Sequence, residues 1–179
     1  MCHARSMTDP TPEPAPDPAP TLREPAHLVS PRAVAYWRLT ALFGALVLWA
    51  LLAGGYAALP ERPWWVTVLV SMALLASLAR VLVMPTIRFR VHRWEVTPTA
   101  VYTRSGWLAR EQRIAPLSRV QTVDTAQGAL MRAFGLMSIT VTTASAAGPV
   151  TIMGLDTATA QRVVAELTRI TGSSAGDAT

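Results

Sequence analysis

The chain has 179 residues, of which 51% are hydrophobic and 15% are charged, and its mean hydropathy is +0.30. This composition is too apolar for an ordinary soluble domain and too polar for a chain lying wholly within a bilayer, so we expect membrane segments joined to a folded part. The net charge of +5 favours anionic lipid headgroups or other acidic partners. Cys2 is the single cysteine, which excludes an intrachain disulfide.

Proline dominates the N-terminal region, with acidic residues scattered between the prolines. Such a stretch cannot bury a core, so residues 1–31 are expected to form a disordered, partly polyproline II tail, with a proline-rich ligand for a partner as the alternative. No apolar run follows closely behind Met1, so we expect the first membrane helix to act as an uncleaved targeting signal. Met7 is an alternative start.

Two apolar runs come next. Leu39 to Pro60 covers 22 positions without a charge, and a second run extends from Trp64 to Met84. As a helix with about 1.5 Å rise per residue, the first run spans about 33 Å, enough to cross a hydrocarbon core of about 30 Å. We therefore predict a transmembrane hairpin over residues 32–87, with helices at about 38–59 and 64–84.

Basic residues predict the orientation of this hairpin. Arginines precede the first run and follow the second, whereas the connecting turn holds only Glu61 and Arg62. The positive-inside rule then places both ends of the hairpin in the cytoplasm. Aromatic rings are expected at the two membrane interfaces, namely Tyr36 and Trp37 at the inner one and Tyr56, Trp64 and Trp65 at the outer one.

Three features inside the runs concern how the helices pack and how deep they lie in the membrane. Trp49 lies in the middle of the first helix and is expected to pack against the second. Arg80 lies about 24 Å along the second helix from Trp64, so we expect it near the cytoplasmic edge, where its long side chain reaches lipid phosphates. The pair Gly54-Gly55 permits close approach of helices, either within one hairpin or between copies in a homo-oligomer.

Residues 88–172 are predicted to form a β-rich cytoplasmic domain, because short segments rich in Val, Ile, Thr and Tyr alternate with Pro and Gly. A helical corner is expected at 127–134, followed by Gly135 with a positive φ. An amphipathic helix is expected from an N-cap at Asp156 to a stop at Gly172, with a flexible end at 173–179. The predicted strands are 88–97, 100–104, 107–114, 119–125, 137–143 and 149–153.

Six or seven strands followed by one amphipathic helix are the layout of a pleckstrin-homology (PH)-like barrel or sandwich capped by a C-terminal helix. The expected fold class is therefore membrane-anchored α+β, with a two-helix transmembrane hairpin before this domain. A small α+β sandwich unrelated to the PH fold is the structural alternative.

Two segments also carry a resemblance to a known family. One is Pro116-Leu117-Ser118-Arg119-Val120-Gln121, and the other is Arg132-Ala133-Phe134-Gly135-Leu136. Together they resemble the bacterial YdbS-like PH family, over roughly residues 29–172. The resemblance implies a membrane-anchored domain of the bacterial cell (inner) membrane, with a suspected link to the cell envelope. It supplies no catalytic residue and no established ligand.

Within these segments, six residues are expected to be structural. For three of them, Arg119, Gln121 and Arg132, we expect hydrogen bonds to loop carbonyls that brace the domain, with partner binding as the alternative. The six residues are Pro116, Arg119, Gln121, Arg132, Phe134 and Gly135.

Catalytic motifs are absent from the sequence. No Gly-rich phosphate loop follows a strand, and no Cys or His cluster has metal-ligand spacing. His92 is the only histidine of the domain, and we expect it to be a surface or juxtamembrane strand residue. The sequence therefore predicts no enzyme, no metal site and no cofactor.

Arginines form the main candidate for a binding surface. Residues 88–172 hold ten arginines and five acids, a net charge of +5 that should draw the domain toward an anionic inner leaflet. The turn Thr97-Pro98-Thr99 carries no cation, which argues against the inositide pocket of eukaryotic PH domains. A solvated or ion-paired face is the alternative. The candidate headgroup or partner contacts are Arg88, Arg90 and Arg93 near the helix exit, and Arg104, Arg110 and Arg113 around the second predicted β-hairpin, which turns at Ser105-Gly106.

Two functional hypotheses follow. In the first, the chain is a non-enzymatic membrane-tethered module that binds or scaffolds a protein or anionic-lipid partner at the cytoplasmic face. In the second, it is a subunit of a larger envelope transport or stress-response complex, and the helices drive assembly. Nucleic acid is not an expected partner, because the basic residues lack an interleaved aromatic platform.

Overall fold

Two long antiparallel helices form the hairpin. The computed structural model describes residues 24–106, 109–144 and 148–176, and within it α1 covers Arg32–Ala57 and α2 covers Trp64–Val91. Both helices are long and apolar enough to cross a membrane, with mean hydropathies of 1.8 and 2.2 and only 6% of the apolar stretch buried in each. Trp49 Nε1 donates a hydrogen bond to Ser77 Oγ at 2.6 Å, which confirms that Trp49 packs against the second helix.

Both helices extend further toward the domain than predicted. The expected strand at 88–97 is wrong in its first half, because α2 continues through Pro85 to Val91 and ends where His92 N–H bonds the carbonyl of Arg88 at 3.0 Å. Phe89 packs against the domain core from this last turn. An imperfect alternation of apolar residues was therefore insufficient to distinguish a strand from a helix that continues out of the membrane.

Two antiparallel sheets form the domain. The first sheet has the order β1-β2-β3-β4 and the second has the order β5-β6-β7. A single 3₁₀ turn, Leu117–Arg119, leads from the first sheet to the second. In the described ranges no hydrogen-bonded ladder joins the sheets, so the domain is a PH-like sandwich rather than a closed barrel. The strands are β1 (His27–Leu28), β2 (Arg93–Val96), β3 (Ala100–Ser105), β4 (Glu111–Pro116), β5 (Val120–Ala126), β6 (Leu136–Thr143) and β7 (Val150–Asp156).

Most of the predicted elements are present, with shifted ends. The strand expected at 107–114 begins at Glu111, and residues 107 and 108 lie outside the described ranges. The helical corner is α3 (Ala129–Ala133), and Gly135 after it has φ +65°, which confirms the predicted positive φ. The terminal helix α4 is Thr157–Gly176, so the stop expected at Gly172 is wrong.

The expected disordered tail does not extend to residue 31. His27 and Leu28 pair with Trp94 and Arg93, and Val29 and Ser30 are buried. This short β-forming segment covers the otherwise open edge of β2. The prediction from composition missed it because the whole proline-rich region was averaged together. Residues 1–23 lie outside the described chain.

The first turns of α1 belong to the core of the domain. Ala33 is fully buried and Trp37 is only 7% exposed, so Trp37 lies in the core rather than at a lipid interface. Tyr36 makes an edge-on contact with Phe134, with ring centroids 6.2 Å apart. On the far side, α4 adds three buried apolar residues to the same core. The hairpin and the domain therefore share one hydrophobic core.

Hydrogen bonds from Ser30 close this junction. Its backbone N–H donates to the carbonyl of Gly154 at 2.9 Å, and its hydroxyl donates to Asp156 Oδ1 at 2.9 Å. Asp156 is thus the last residue of β7 and receives a bond from a residue 126 positions earlier. The start of α1 is fixed to the end of the last strand.

Gly154 is the tightest point of the junction. Its φ is +76°, and a Cβ there would lie 2.9 Å from Ala33 Cβ and 3.5 Å from Trp37 Cζ2. Gly148 has a similar φ of +79°, but a Cβ there would meet only Arg113 Nη1 at 3.9 Å. A side chain at either position would strain the backbone, but only a side chain at Gly154 would also overlap with neighbouring atoms.

We expect Gly154→Ala to destabilise the protein more than Gly148→Ala. Both substitutions place a side chain at positive φ, at a cost of about 1–2 kcal/mol, and only Gly154→Ala adds overpacking of about 1–3 kcal/mol. Thermal unfolding of the two purified variants in one detergent measures the difference. Equal unfolding midpoints would contradict the shared core.

Candidate anion-binding surface at the membrane junction

The six predicted contact arginines separate into two sets. Arg88 and Arg90 lie on the last turn of α2, and Arg93 follows directly at the start of β2. The other three surround the β3–β4 hairpin. Arg93 also belongs with this second set, because it faces Arg104 directly in the β2–β3 ladder.

Arg88 and His92 both contact the ring of Trp37. The Arg88 Cζ atom lies 4.5 Å from the centroid of the Trp37 ring, a cation–π contact. The His92 ring centroid lies 5.6 Å from that of Trp37, and His92 Nδ1 is 2.9 Å from the carbonyl oxygen of Arg88. His92 is thus the C-cap residue directly after α2, and it is half-buried at the junction. Arg90, by contrast, is exposed.

Burial lowers the pKa of His92, and the positive charge of Arg88 lowers it further, while the hydrogen bond to the Arg88 carbonyl opposes these effects. The ordinary value is 6.5, so the ring is neutral at neutral pH. A neutral ring that donates its Nδ1 proton to the carbonyl fits the observed geometry.

Acidification should therefore destabilise the protein through His92. Because the pKa of His92 is lower in the folded than in the unfolded state, the unfolded chain binds more protons as the pH falls below about 6.5, and stability decreases. We expect wild type to lose more stability than His92→Gln between about pH 7.5 and about pH 5.5, measured as thermal midpoints. Carboxylates titrate in both proteins, so their contribution cancels. Parallel losses would exclude His92 as the cause.

Arg93 and Arg104 are a like-charged pair on one side of the first sheet. They are direct cross-strand partners, an arrangement that is destabilising without an anion nearby. Arg104 is also buried, with 8% of its surface exposed. Its Nη1 atom forms an ion pair with the carboxylate of Glu24.

Glu24 supplies the negative charge to this pair. The hydrogen bond and charge of Arg104 hold the pKa of the Glu24 carboxyl below its usual range, and the charges of Arg93 and Arg110 lower it further. Three of the six predicted arginines thus act on one carboxylate. We call Arg93, Arg104 and Arg110 the arginine cradle.

Arg113 is close to the cradle but is engaged elsewhere. It pairs with Glu111 at 2.6 Å and donates from Nη1 to the carbonyl of Pro149 at 3.1 Å, which links the β3–β4 hairpin to the segment before β7. With Arg93 and Arg104, it lines a cleft of about 290 Å³. The structure thus brings Arg93, Arg104 and Arg113 to one cleft, while Arg88 and Arg90 remain on the helix.

The residues of the two family segments occupy different environments. Phe134 contacts Tyr36 at the junction, and the carbonyl of Gly135 accepts bonds from both the N–H and the hydroxyl of Thr157 at 3.0 Å. Pro116 ends β4. Three further side chains are exposed and make no hydrogen bond within the described ranges, so their bracing role stays a prediction: Arg119, Gln121 and Arg132.

Sequence reasoning missed two polar residues with structural contacts. Gln127 donates from Nε2 to the carbonyl of Leu136 at 2.8 Å and to Thr157 Oγ1 at 3.1 Å, which ties the α3 corner to the start of α4. Glu24 was grouped with the other acids of the proline-rich region. Local sequence carries no signal for either role, because Arg104 lies 80 positions from Glu24 and Thr157 lies 30 positions from Gln127.

Among the described residues, no group of three or more His, Cys, Asp or Glu side chains is placed to hold a metal ion. In the same ranges, each buried side-chain nitrogen or oxygen has a hydrogen-bond partner. What the described arginines offer chemically is recognition of an anionic group.

The model of the bacterial PH domain family matches residues 32–171, which include both long helices. The chain belongs to this family. A curated relative, the UPF0699 transmembrane protein YdbS of Bacillus subtilis (strain 168), is 29% identical over 153 residues, which cover 83% of this chain and 96% of the relative. No solved structure matches the chain. These findings confirm the YdbS-like resemblance.

Proposed function

We propose that this PH-domain membrane protein is a non-enzymatic binding or scaffolding module of the bacterial inner membrane, with both termini in the cytoplasm. The arginines at the domain end of the hairpin support this orientation, because the opposite turn carries only Glu61 and Arg62. The domain and those arginines lie at the same end of the helices. An anionic inner leaflet then lies beside the domain.

The arginine cradle is the observation that carries the proposal. A buried guanidinium opposite a second arginine requires an anion, and the group that now supplies it is a carboxylate. Arginine presents a planar fork of donors that suits carboxylate or phosphate oxygens. The cradle is therefore suited to an acidic group, and Glu24 occupies the position that a partner's acid would take.

An acidic protein segment is the occupant that we favour. The hairpin already localises the domain, so affinity for lipid is not required to bring it to the membrane. The shared core fixes the cradle relative to the helices, which suits a partner held at a defined height above the bilayer. In this proposal Glu24 competes with the partner's carboxylate for Arg104.

Site-specific crosslinking in cells tests this. Gln112 is exposed and lies directly opposite Arg104 in the β3–β4 ladder, so a photoreactive residue there reports on the cradle without removing an arginine. We expect a discrete protein adduct that Arg104→Gln abolishes and Glu24→Gln increases several-fold, because the competing carboxylate is gone. A photoreactive residue at Gln161, exposed on α4, is the matched control position.

The kinds of adduct separate the alternatives. Adducts to lipid alone would contradict a protein partner and would indicate that the charged surface only attracts lipid. Adducts between copies of the chain would favour helix-driven assembly. A protein adduct that is insensitive to Arg104→Gln would contradict the role of the cradle.

A second experiment addresses the hypothesis that the helices drive assembly into a larger complex. Residues 39–84 are replaced by an unrelated two-helix hairpin, while the flanking turns that pack in the domain core are kept. If the domain is the binding module, the Gln112 adduct should persist at a similar yield in the membrane fraction. Loss of the adduct from a correctly inserted, folded chimera would support the helices instead.

A further inference from the structure

A second basic site lies between the two membrane helices. A cavity of about 260 Å³ opens between α1 and α2 at the end of the hairpin that faces the domain. Its lining combines two arginines with an indole, a hydroxyl and three apolar side chains, and no carboxylate. These residues are Arg80, Arg88, Trp37, Thr40, Ala41, Met84 and Pro85.

The two guanidinium groups lack a protein counter-ion. Within the described ranges, neither Arg80 nor Arg88 forms an ion pair with an acidic side chain. The contact of Arg88 with the Trp37 ring orients the guanidinium but neutralises no charge. An uncompensated charge close to hydrocarbon is costly, so an anion from outside the chain is favoured here.

The depth of the cavity identifies that anion. At about 1.5 Å per residue, Arg80 lies about 24 Å and Arg88 about 36 Å along α2 from Trp64. A hydrocarbon core of about 30 Å that starts near Trp64 therefore ends between the two arginines. This is the level at which phospholipid headgroups begin. Leu82 and Val83 are 56% and 53% exposed on the same stretch of α2, so the surroundings are apolar.

We propose that this cavity binds the headgroup of an anionic phospholipid, with the phosphate held between Arg80 and Arg88 and the acyl chain along the neighbouring apolar helix surface. Basic pockets between transmembrane helices on the cytoplasmic side commonly bind anionic headgroups. The site rests on the proposed orientation of the hairpin. It does not involve the arginine cradle.

Native mass spectrometry of the full chain in detergent tests the site with two probes of equal acyl chains, dioleoylphosphatidylglycerol and dioleoylphosphatidylcholine. We expect the anionic lipid to bind at least about fivefold more tightly than the zwitterionic one. Arg80→Gln and Arg88→Gln should each reduce binding of the anionic lipid by about fivefold. Arg90→Gln is the matched control, because it removes the same charge from the same helix outside the cavity, and it should reduce binding less than about twofold.

Two outcomes would overturn the proposal. Equal binding of the two lipids would exclude headgroup recognition. Equal losses in all three variants would mean that the net charge of the helix end attracts lipid without a defined site. Thermal midpoints in lipid-free detergent check folding, and if Arg88→Gln unfolds, Arg80→Gln decides alone, because the exposed Arg80 side chain makes no hydrogen bond to a described residue. The assay in detergent does not depend on hairpin orientation, so its outcome is separable from the crosslinking result.

Discussion

The insertion of the first turns of α1 into the domain core is the contact on which the rest of the structure depends. Ala33 and Trp37 reach the second sheet because Gly154 presents bare backbone to them. The last turn of α2 reaches the same region through Phe89 and His92. A PH-like sandwich on a flexible linker would sample many orientations above the bilayer. Here two helix ends are packed against it, so its faces have defined positions relative to the membrane.

That fixed arrangement explains why the arginines are not equivalent. In the proposed topology, the arginines at the helix ends lie at the level of the phospholipid headgroups, which serve as their counter-ions. Arg93 and Arg104 lie on the sheet instead, and the chain supplies a carboxylate for them through Glu24. Arg113 is neutralised by Glu111 in the same hairpin. The arginines that give the chain its net positive charge thus lie in several local environments, each with a different source of negative charge.

Local patterns predicted the elements that depend on local physics. Unbroken hydropathy identified the two helices, and β-forming segments between Pro and Gly identified the later strands to within a few residues. The errors arose where distant packing decides the outcome. Residues 88–91 remain helical because Phe89 packs on the core, and His27–Leu28 form a strand because β2 has an open edge. Local sequence patterns did not predict the ion pair of Arg104 either, since its partner Glu24 lies 80 positions away.

The bonds from Ser30 to Gly154 and Asp156 also constrain the order of folding. A chain emerging from the ribosome makes Ser30 before the hairpin and Asp156 after it, so this junction cannot close until both helices and the seven strands of the described ranges have been synthesised. Until then Ala33 and Trp37 have no cover at the bilayer surface. Synthesis of both membrane helices therefore precedes completion of the domain, and a chain that ends before β7 leaves the apolar start of α1 exposed, which favours aggregation.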